Sequence, residues 1–494
     1  MKGGGIRAVK TSRPLKWWQW ETLLVTMGGY ALYYLIRKNL SVAMPLLGEI
    51  GVSKVQLGAF LTAGGIVYGV GRFLNGIVAD RNSARKVMAT GLFICSFVNV
   101  LFGLSDWIVE AAAWGHAALP GGEAGGSPSP ATAPVALVWT MGIIWIVNQY
   151  FQGMGVGPCI KTLPKWFPPE ELSTKQSIWN LSHSVGAGAV FALCGWALIP
   201  LFHSWRLCFI VPAAIAAAGG LAILFLFKDS PEEVGLSVCP ADRSSHASRL
   251  MSKKDVRPQT RDEEEEDYKS YVARHVFRNP KVWTIAIADF FVYTVRFAAL
   301  DWGIVLLMET KGLSLAAATT LCFVFEIVGG NLGMVVAGWA TDRFFGSCAH
   351  RTSVLCMAGA ALATAAFRFV PVSAPTVVKL LPFMMIGFFI YGPQALLGVA
   401  TTQQATPRAA GVAGGFVGIF SYASTILSGV GFGSVAQHWG WNAAYATILA
   451  AAMVGGGVLL LMWRSALPSA NATVATGRDP KNQPSTRLRC ASSR

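Results

Sequence analysis

Charge is scarce in this chain. Asp, Glu, Lys and Arg make up 13% of its 494 residues, about half of what a soluble protein of this size carries. That excludes an ordinary cytosolic enzyme. Short segments of alternating polar and apolar residues are also missing, which argues against a membrane β-barrel. No G-x-x-x-x-G-K-[ST] loop is present, so nothing points to ATP as an energy source. GGIVYGVGR is rich in glycine but lies within an apolar run, where a phosphate-binding loop has no place. The nine cysteines lack metal-ligand or redox spacing and read as small buried apolar residues. No nucleophile–base pair or metal cluster stands out, and no cofactor is expected. No cleavable signal peptide is evident, because the first apolar run is too long and too polar at its end.

What is present is apolar length. The hydrophobic fraction is 53% and the mean hydropathy +0.48. Twelve candidate spans follow: 20–47, 55–79, 87–105, 135–157, 174–199, 205–227, 282–308, 314–340, 352–371, 377–401, 410–435 and 440–463. Each suits a hydrocarbon core of about 30 Å at about 1.5 Å per residue. The expected fold is an all-α, multi-pass protein embedded in a lipid bilayer. The 53 glycines agree, since small residues let membrane helices approach closely.

The net charge of +15 then concerns topology and not nucleic acid. Lys2, Arg7, Lys10, Arg13 and Lys16 precede span 1, Arg81, Arg85 and Lys86 follow span 2, and Lys161, Lys165 and Lys175 follow span 4. On the other side, the stretch from Ser105 to Leu137 has no Lys or Arg, nor has Val435 to Trp441. Both termini are therefore expected in the cytoplasm. The expected organisation is an N-terminal tail (1–19), a first six-helix bundle (20–228), a cytoplasmic linker (229–281) with the run RDEEEED, a second bundle (282–464) and a disordered tail (465–494). Residues 117–134, rich in Gly, Ala and Pro, read as a flexible external loop. The sequons at Asn39, Asn180 and Asn471 fall in spans or in the tail, where glycosylation is not expected.

The halves resemble each other. Span 2 ends GIVADRNSARK and span 8 ends GWATDRFFGSCAHR, which places Asp80 and Asp342 262 residues apart. Six spans, a linker and six more are what a parallel repeat about the membrane normal produces.

The intramembrane charges carry the functional signal. If span 1 stopped before Arg37, its apolar part would measure roughly 22 Å, too short to cross. Arg37 and Lys38 therefore lie within the membrane, where a charge costs about 2.5–3.5 kcal/mol at mid-helix and faces a protein interior or wet cavity. Tyr30, Tyr34 and Arg37 share one helical face at i, i+4 and i+7. The alternative is an Arg37 that snorkels to an interface. Span 7 repeats the pattern, with Tyr293 three residues before Arg296. Arg37 and Arg296 are 259 residues apart, so they occupy matching positions on opposite sides of a central cavity. Two guanidiniums without equally matched carboxylates point to an anion, and phosphate suits the planar fork. The rival account gives Arg296 an ion-pair partner in Asp301, Asp289 or Glu326. Arg72 with Tyr68 one turn earlier, His183 with Asn180, and Tyr391 add donors within spans 2, 5 and 10. Phosphate monoesters change charge with a second pKa of roughly 6, so His183 suits a dianion, unless it is only a packing residue. Lys38 points about 100° away from Arg37 and adds positive potential.

The form G-x-x-x-D-R-x-x-x-R-K after span 2, with G-x-x-x-D-R and a further basic residue after span 8, resembles the signature loop of the major facilitator superfamily. GYALYYLIRKN, YGVGRFLNGIVADRNSARK, SIWNLSHSVG, FVYTVRFAALDW and IGFFIYGPQALLG are similar to its organophosphate:phosphate antiporter branch. The resemblance covers nearly all the spans in order. It implies two pseudo-symmetric six-helix bundles and exchange of a phosphate ester, such as glycerol-3-phosphate or a sugar phosphate, for inorganic phosphate by a monomer. It implies phosphate binding by Arg37 and Arg296 with help from His183. It also implies a gating role for Asp80, Arg81, Arg85, Asp342 and Arg343. The branch commonly has Lys where Arg72 stands, and it includes a hexose-phosphate sensor, so a sensor stays open. So does a proton-coupled carrier of another organic anion that uses Asp289, Glu326 or Asp301.

Overall fold

The computed structural model describes residues 13–117, 135–236, 269–405 and 409–465, apart from the side chains of residues 80, 113–117, 169, 170, 173, 174, 177 and 410. Most of the expected external loop, linker and C-terminal tail, the sequon at Asn471 and the side chain of Asp80 lie outside the described residues.

The described chain forms twelve membrane-length spans. Eleven are helices long and apolar enough to cross a bilayer: Lys54–Ala79, Ala84–Gly103, Val135–Trp166, Ile178–Phe202, Leu207–Leu226, Pro280–Asp301, Leu315–Phe344, Ala349–Phe369, Thr376–Ala405, Gly411–His438 and Gly440–Leu460. The remaining span precedes them and differs from the sequence expectation. It is not one helix but two, Leu15–Leu35 and Asn39–Glu49, broken at the residues between. Arg37 and Lys38 stand in that break. A further helix, Ser105–Ala117, follows span 3 and ends where the expected 117–134 loop begins.

Local chemistry accounts for several boundaries. Ser53 starts span 2 with a capping box: its hydroxyl accepts from Gln56 N–H, and the Gln56 side chain accepts from Ser53 N–H. Ser83 caps span 3 by accepting from Lys86 N–H, and Asp229 accepts from Ala84 and Arg85 N–H at 3.0 and 2.8 Å. A carboxylate there meets the positive end of the helix. The seven described cysteines are all free and buried.

Spans 1–6 pack against one another, as do spans 7–12. The two sets meet on the face opposite the 81–84 connection. There Lys54 Nζ pairs with Glu309 Oε2 at 2.7 Å. Val55 N–H donates to Gln437 Oε1 at 3.1 Å, and Thr62 Oγ1 donates to Thr425 O at 2.7 Å. Gly58 makes this closure possible. A Cβ on it would stand 2.6 Å from the carbonyl oxygen of Gly429, so the two backbones touch where a side chain has no room. Toward the other face the halves diverge and leave a central cavity.

Candidate functional site

The cavity measures about 900 Å³, within the range of small-molecule sites. Its mouth lies on the face of the 81–84 and 344–349 connections, among Ile160, Gln176, Gly338, Thr402 and Gly414. Nine of the expected site residues line it: Tyr30, Tyr34, Arg37, Lys38, Arg72, Asn180, His183, Tyr293 and Arg296. Tyr68 and Tyr391 do not. Both are buried behind the wall, and each supports an arginine with its ring face.

The break in span 1 sets the first wall. No Gly or Pro occupies residues 36–38, so the local sequence gives no sign of the break. Buried amides hold it. Gln152 Nε2 donates to the carbonyl of Ile36 at 3.5 Å, Asn39 Nδ2 to Asn99 Oδ1 at 2.8 Å, and Asn99 Nδ2 to Asn148 Oδ1 at 3.1 Å. Irregular backbone at membrane depth is tolerated where protein groups satisfy it or it lines a cavity. The break sends the adjacent cations in different directions. Arg37 Cζ lies 3.7 Å above the Tyr68 ring and 5.3 Å from that of Tyr34. Lys38 crosses to the second half and ion-pairs with Asp301, both side chains buried. Lys38 is therefore not a spare positive charge, and Asp301 is the partner of Lys38 and not of Arg296.

Arg296 shapes the second wall. It is 3% exposed, its Cζ 4.8 Å above the Tyr391 ring. Its Nη2 lies 3.8 Å from Glu326 Oε1, beyond hydrogen-bond reach. Nε and Nη2 have no hydrogen-bond partner. The expectation that the arginines lack matched carboxylates needs correction here, since Glu326 stands beside Arg296. Glu326 sits in a wide helical turn, Phe325–Gly330, and accepts a hydrogen bond from the Tyr391 hydroxyl. Neither Arg37 nor Arg72 has a carboxylate within ion-pair distance among the described residues.

His183 closes the site between the walls. It follows the junction of Pro169–Asn180 with Ser182–Ala192. Its ring is 5.6 Å from Tyr34 and 6.2 Å from Tyr391, nearly parallel to the latter. Nδ1 donates to the carbonyl of Asn180, so in the neutral ring Nε2 is the acceptor. Gly186 sets this approach, because a Cβ there would stand 2.2 Å from the carbonyl oxygen of Ala31.

Sequence reasoning missed Tyr422, Ser421 and Trp179. Tyr422 lines the cavity, its ring 4.9 Å from Tyr68 and 6.3 Å from Tyr293. Trp179 stacks on Tyr30 at 4.8 Å. Trp179 and Tyr422 carry no charge, so no pattern singled them out.

Arg81, Asp342 and Arg343 are exposed on the mouth face and Arg85 is half-buried there. Asp342 Oδ1 accepts from the Ser347 hydroxyl at 2.9 Å. Among the described residues no hydrogen bond or ion pair of these four crosses between the halves.

The family model described as Major Facilitator Superfamily matches residues 26–429. A glycerol-3-phosphate transporter of Bacillus subtilis is 33% identical over 88% of this chain and 90% of its own. A membrane sensor protein, UhpC, of Salmonella typhimurium is 31% identical over 90% and 91%. A probable hexose phosphate transport protein of Chlamydia pneumoniae is 31% identical over 93% and 92%. Among solved structures, a bacterial homolog of the human lysosomal transporter Spinster, inward-facing and unoccupied, aligns with a TM-score of 0.66 at 16% identity. It covers 92% of this chain and 98% of that one, and at that identity the likeness concerns the fold alone.

Proposed function

The chain belongs to the major facilitator superfamily, and we propose that it exchanges an organic phosphate ester for inorganic phosphate by alternating access. One observation carries this reading. Arg296 is buried against the cavity with two guanidinium nitrogens that make no hydrogen bond, Glu326 lying 3.8 Å from one of them, and Arg37, without a carboxylate within ion-pair distance among the described residues, lines the same space. An unsatisfied buried donor costs about 1–3 kcal/mol, more when charged. A phosphate oxygen supplies the missing acceptor, and a fork matches it better than a point charge does. The relatives' printed substrates, glycerol-3-phosphate and hexose phosphate, support the same class.

The mechanism follows from charge. In the empty site, closing the mouth strips water from Arg37 and Arg72 and encloses the charge of Arg296 with no anion, and the halves resist it. A dianion bridging Arg37 and Arg296 offsets that cost, so loaded halves rock together at the mouth and separate at the Lys54–Glu309 side. Phosphate ester and inorganic phosphate each satisfy the arginines, and the result is exchange. Excess Lys and Arg assigns the mouth to the cytoplasm, with both termini and the 229–281 linker on that side. Asp80, Arg81, Arg85, Asp342 and Arg343 then act as the mouth gate. The working unit is one chain, whose two halves supply both walls.

Proteoliposomes loaded with phosphate provide the test. Labelled phosphate should enter only when phosphate or an ester is inside to leave. Binding of phosphate esters without any counterflow would overturn exchange and favour a sensor. Strict dependence on an imposed proton gradient would favour a proton-coupled carrier.

A further inference from the structure

Asp289, Tyr293 and Arg296 stand at i, i+4 and i+7 of span 7, as Tyr30, Tyr34 and Arg37 do in span 1. All six line the cavity. The 259-residue offset that relates the arginines also relates Asp289 to Tyr30. Both residues lie two turns nearer the mouth than their arginines, roughly 10 Å along the helix. Their chemistry differs. Tyr30 and Trp179 stack at 26° and form a flat aromatic platform. Asp289 is a carboxylate, 4% exposed, whose one hydrogen bond among the described residues comes from the Ser421 hydroxyl. No Lys, Arg or His among the described residues comes within ion-pair distance of it.

A lone buried carboxylate opposes anion entry, because it repels phosphate and has given up water. Such a group is tolerated when the ligand brings donors to it. A carboxylate accepts from two neighbouring hydroxyls at once, and an apolar ring face takes the C–H side of a sugar.

We propose that Asp289, positioned by Ser421, accepts hydrogen bonds from the hydroxyls of the cargo's organic part, opposite the Tyr30–Trp179 platform. Asp289 is thereby a specificity residue, and the cargo is a phosphorylated hexose. The phosphate end sits at the arginines, and a three-carbon ester falls short of a carboxylate two turns away. This assignment rests on the exchange reading above.

The test is inhibition of labelled phosphate uptake by glucose 6-phosphate, glycerol 3-phosphate and unlabelled phosphate. Asp289→Ala should raise the half-inhibitory concentration of glucose 6-phosphate at least tenfold more than that of phosphate, with glycerol 3-phosphate little separated from phosphate. Ser421→Ala should act in the same direction but less. A parallel shift for all three competitors, or no shift, overturns the proposal. So does stronger wild-type inhibition by phosphoethanolamine than by glucose 6-phosphate, which would assign the carboxylate to an ammonium group. Asp289→Asn serves if the alanine variant does not fold. If wild-type vesicles show no exchange, that reading fails by itself. Thermal stabilisation of purified protein by glucose 6-phosphate over phosphate then decides: its loss in the variant supports the subsite, and its persistence overturns it.

Discussion

Lys38 Nζ and Asp301 Oδ1 form an ion pair that joins the two halves of the molecule behind the cavity, with side-chain exposures of 8% and 9%. Ser41 Oγ lies 3.4 Å from the same carboxylate oxygen. Removing one member leaves a buried charge without compensation, which costs about 3–5 kcal/mol. Lys38→Ala and Asp301→Ala should each lower the thermal midpoint of the purified protein, and the double variant should lose less than their sum. Strict additivity would show that the pair is not coupled. The Arg206–Asp106 pair provides a contrast. Arg206 is 39% exposed there, and Arg206→Ala should cost no more than about 1 kcal/mol.

The arginines should be indispensable for exchange and unnecessary for membrane insertion. Arg37→Ala and Arg296→Ala are expected to abolish labelled phosphate counterflow while leaving membrane insertion intact, and Arg296→Ala should also lower the thermal midpoint, because it leaves the buried Glu326 without its cation. Arg37→Lys should also be poor, since an ammonium does not replace a fork lying 3.7 Å above Tyr68. Near-normal counterflow in both alanine variants would remove the site from the arginines.

Asn99 should matter although it lies outside the cavity. It accepts from Asn39 and donates to Asn148 and the Cys95 carbonyl. Asn99→Ala strands Asn39 and Asn148 and should destabilise the protein by about 1–3 kcal/mol. Because Asn39 begins the helix that follows the break, the half-saturating phosphate concentration should rise as well. Thermal unfolding and transport kinetics read the two effects separately.

Gly58 tests alternating access. A side chain there meets the Gly429 carbonyl, so Gly58→Val should hold the halves apart on the side that is closed here. Cysteines placed at Lys54 and Glu309, whose charged groups are 2.7 Å apart, should cross-link in the parent background lacking native cysteines and lose most of that cross-linking with Gly58→Val. Counterflow should fall in parallel. Unchanged cross-linking would mean that the contact does not control closure.

The sequence by itself determined the class of molecule and most of its boundaries. Apolar length fixes a span whatever it packs against, and the expected limits of spans such as 205–227 and 440–463 fall close to Leu207–Leu226 and Gly440–Leu460. It also placed Arg37 and Arg296, because a charge within an apolar run is costly enough to demand a cavity. The repeat offset told which positions correspond. Tertiary structure alone decided the partners. Whether Asp301 neutralises Arg296 or Lys38, 263 residues away in sequence, depends on how the two halves dock and on a helix break that no Gly or Pro announces. The same docking put Tyr68 and Tyr391 behind the wall and Tyr422 on it. Hydrophobic periodicity gives the buried face of a helix, but among polar residues on that face it cannot separate those meeting the cavity from those meeting another helix.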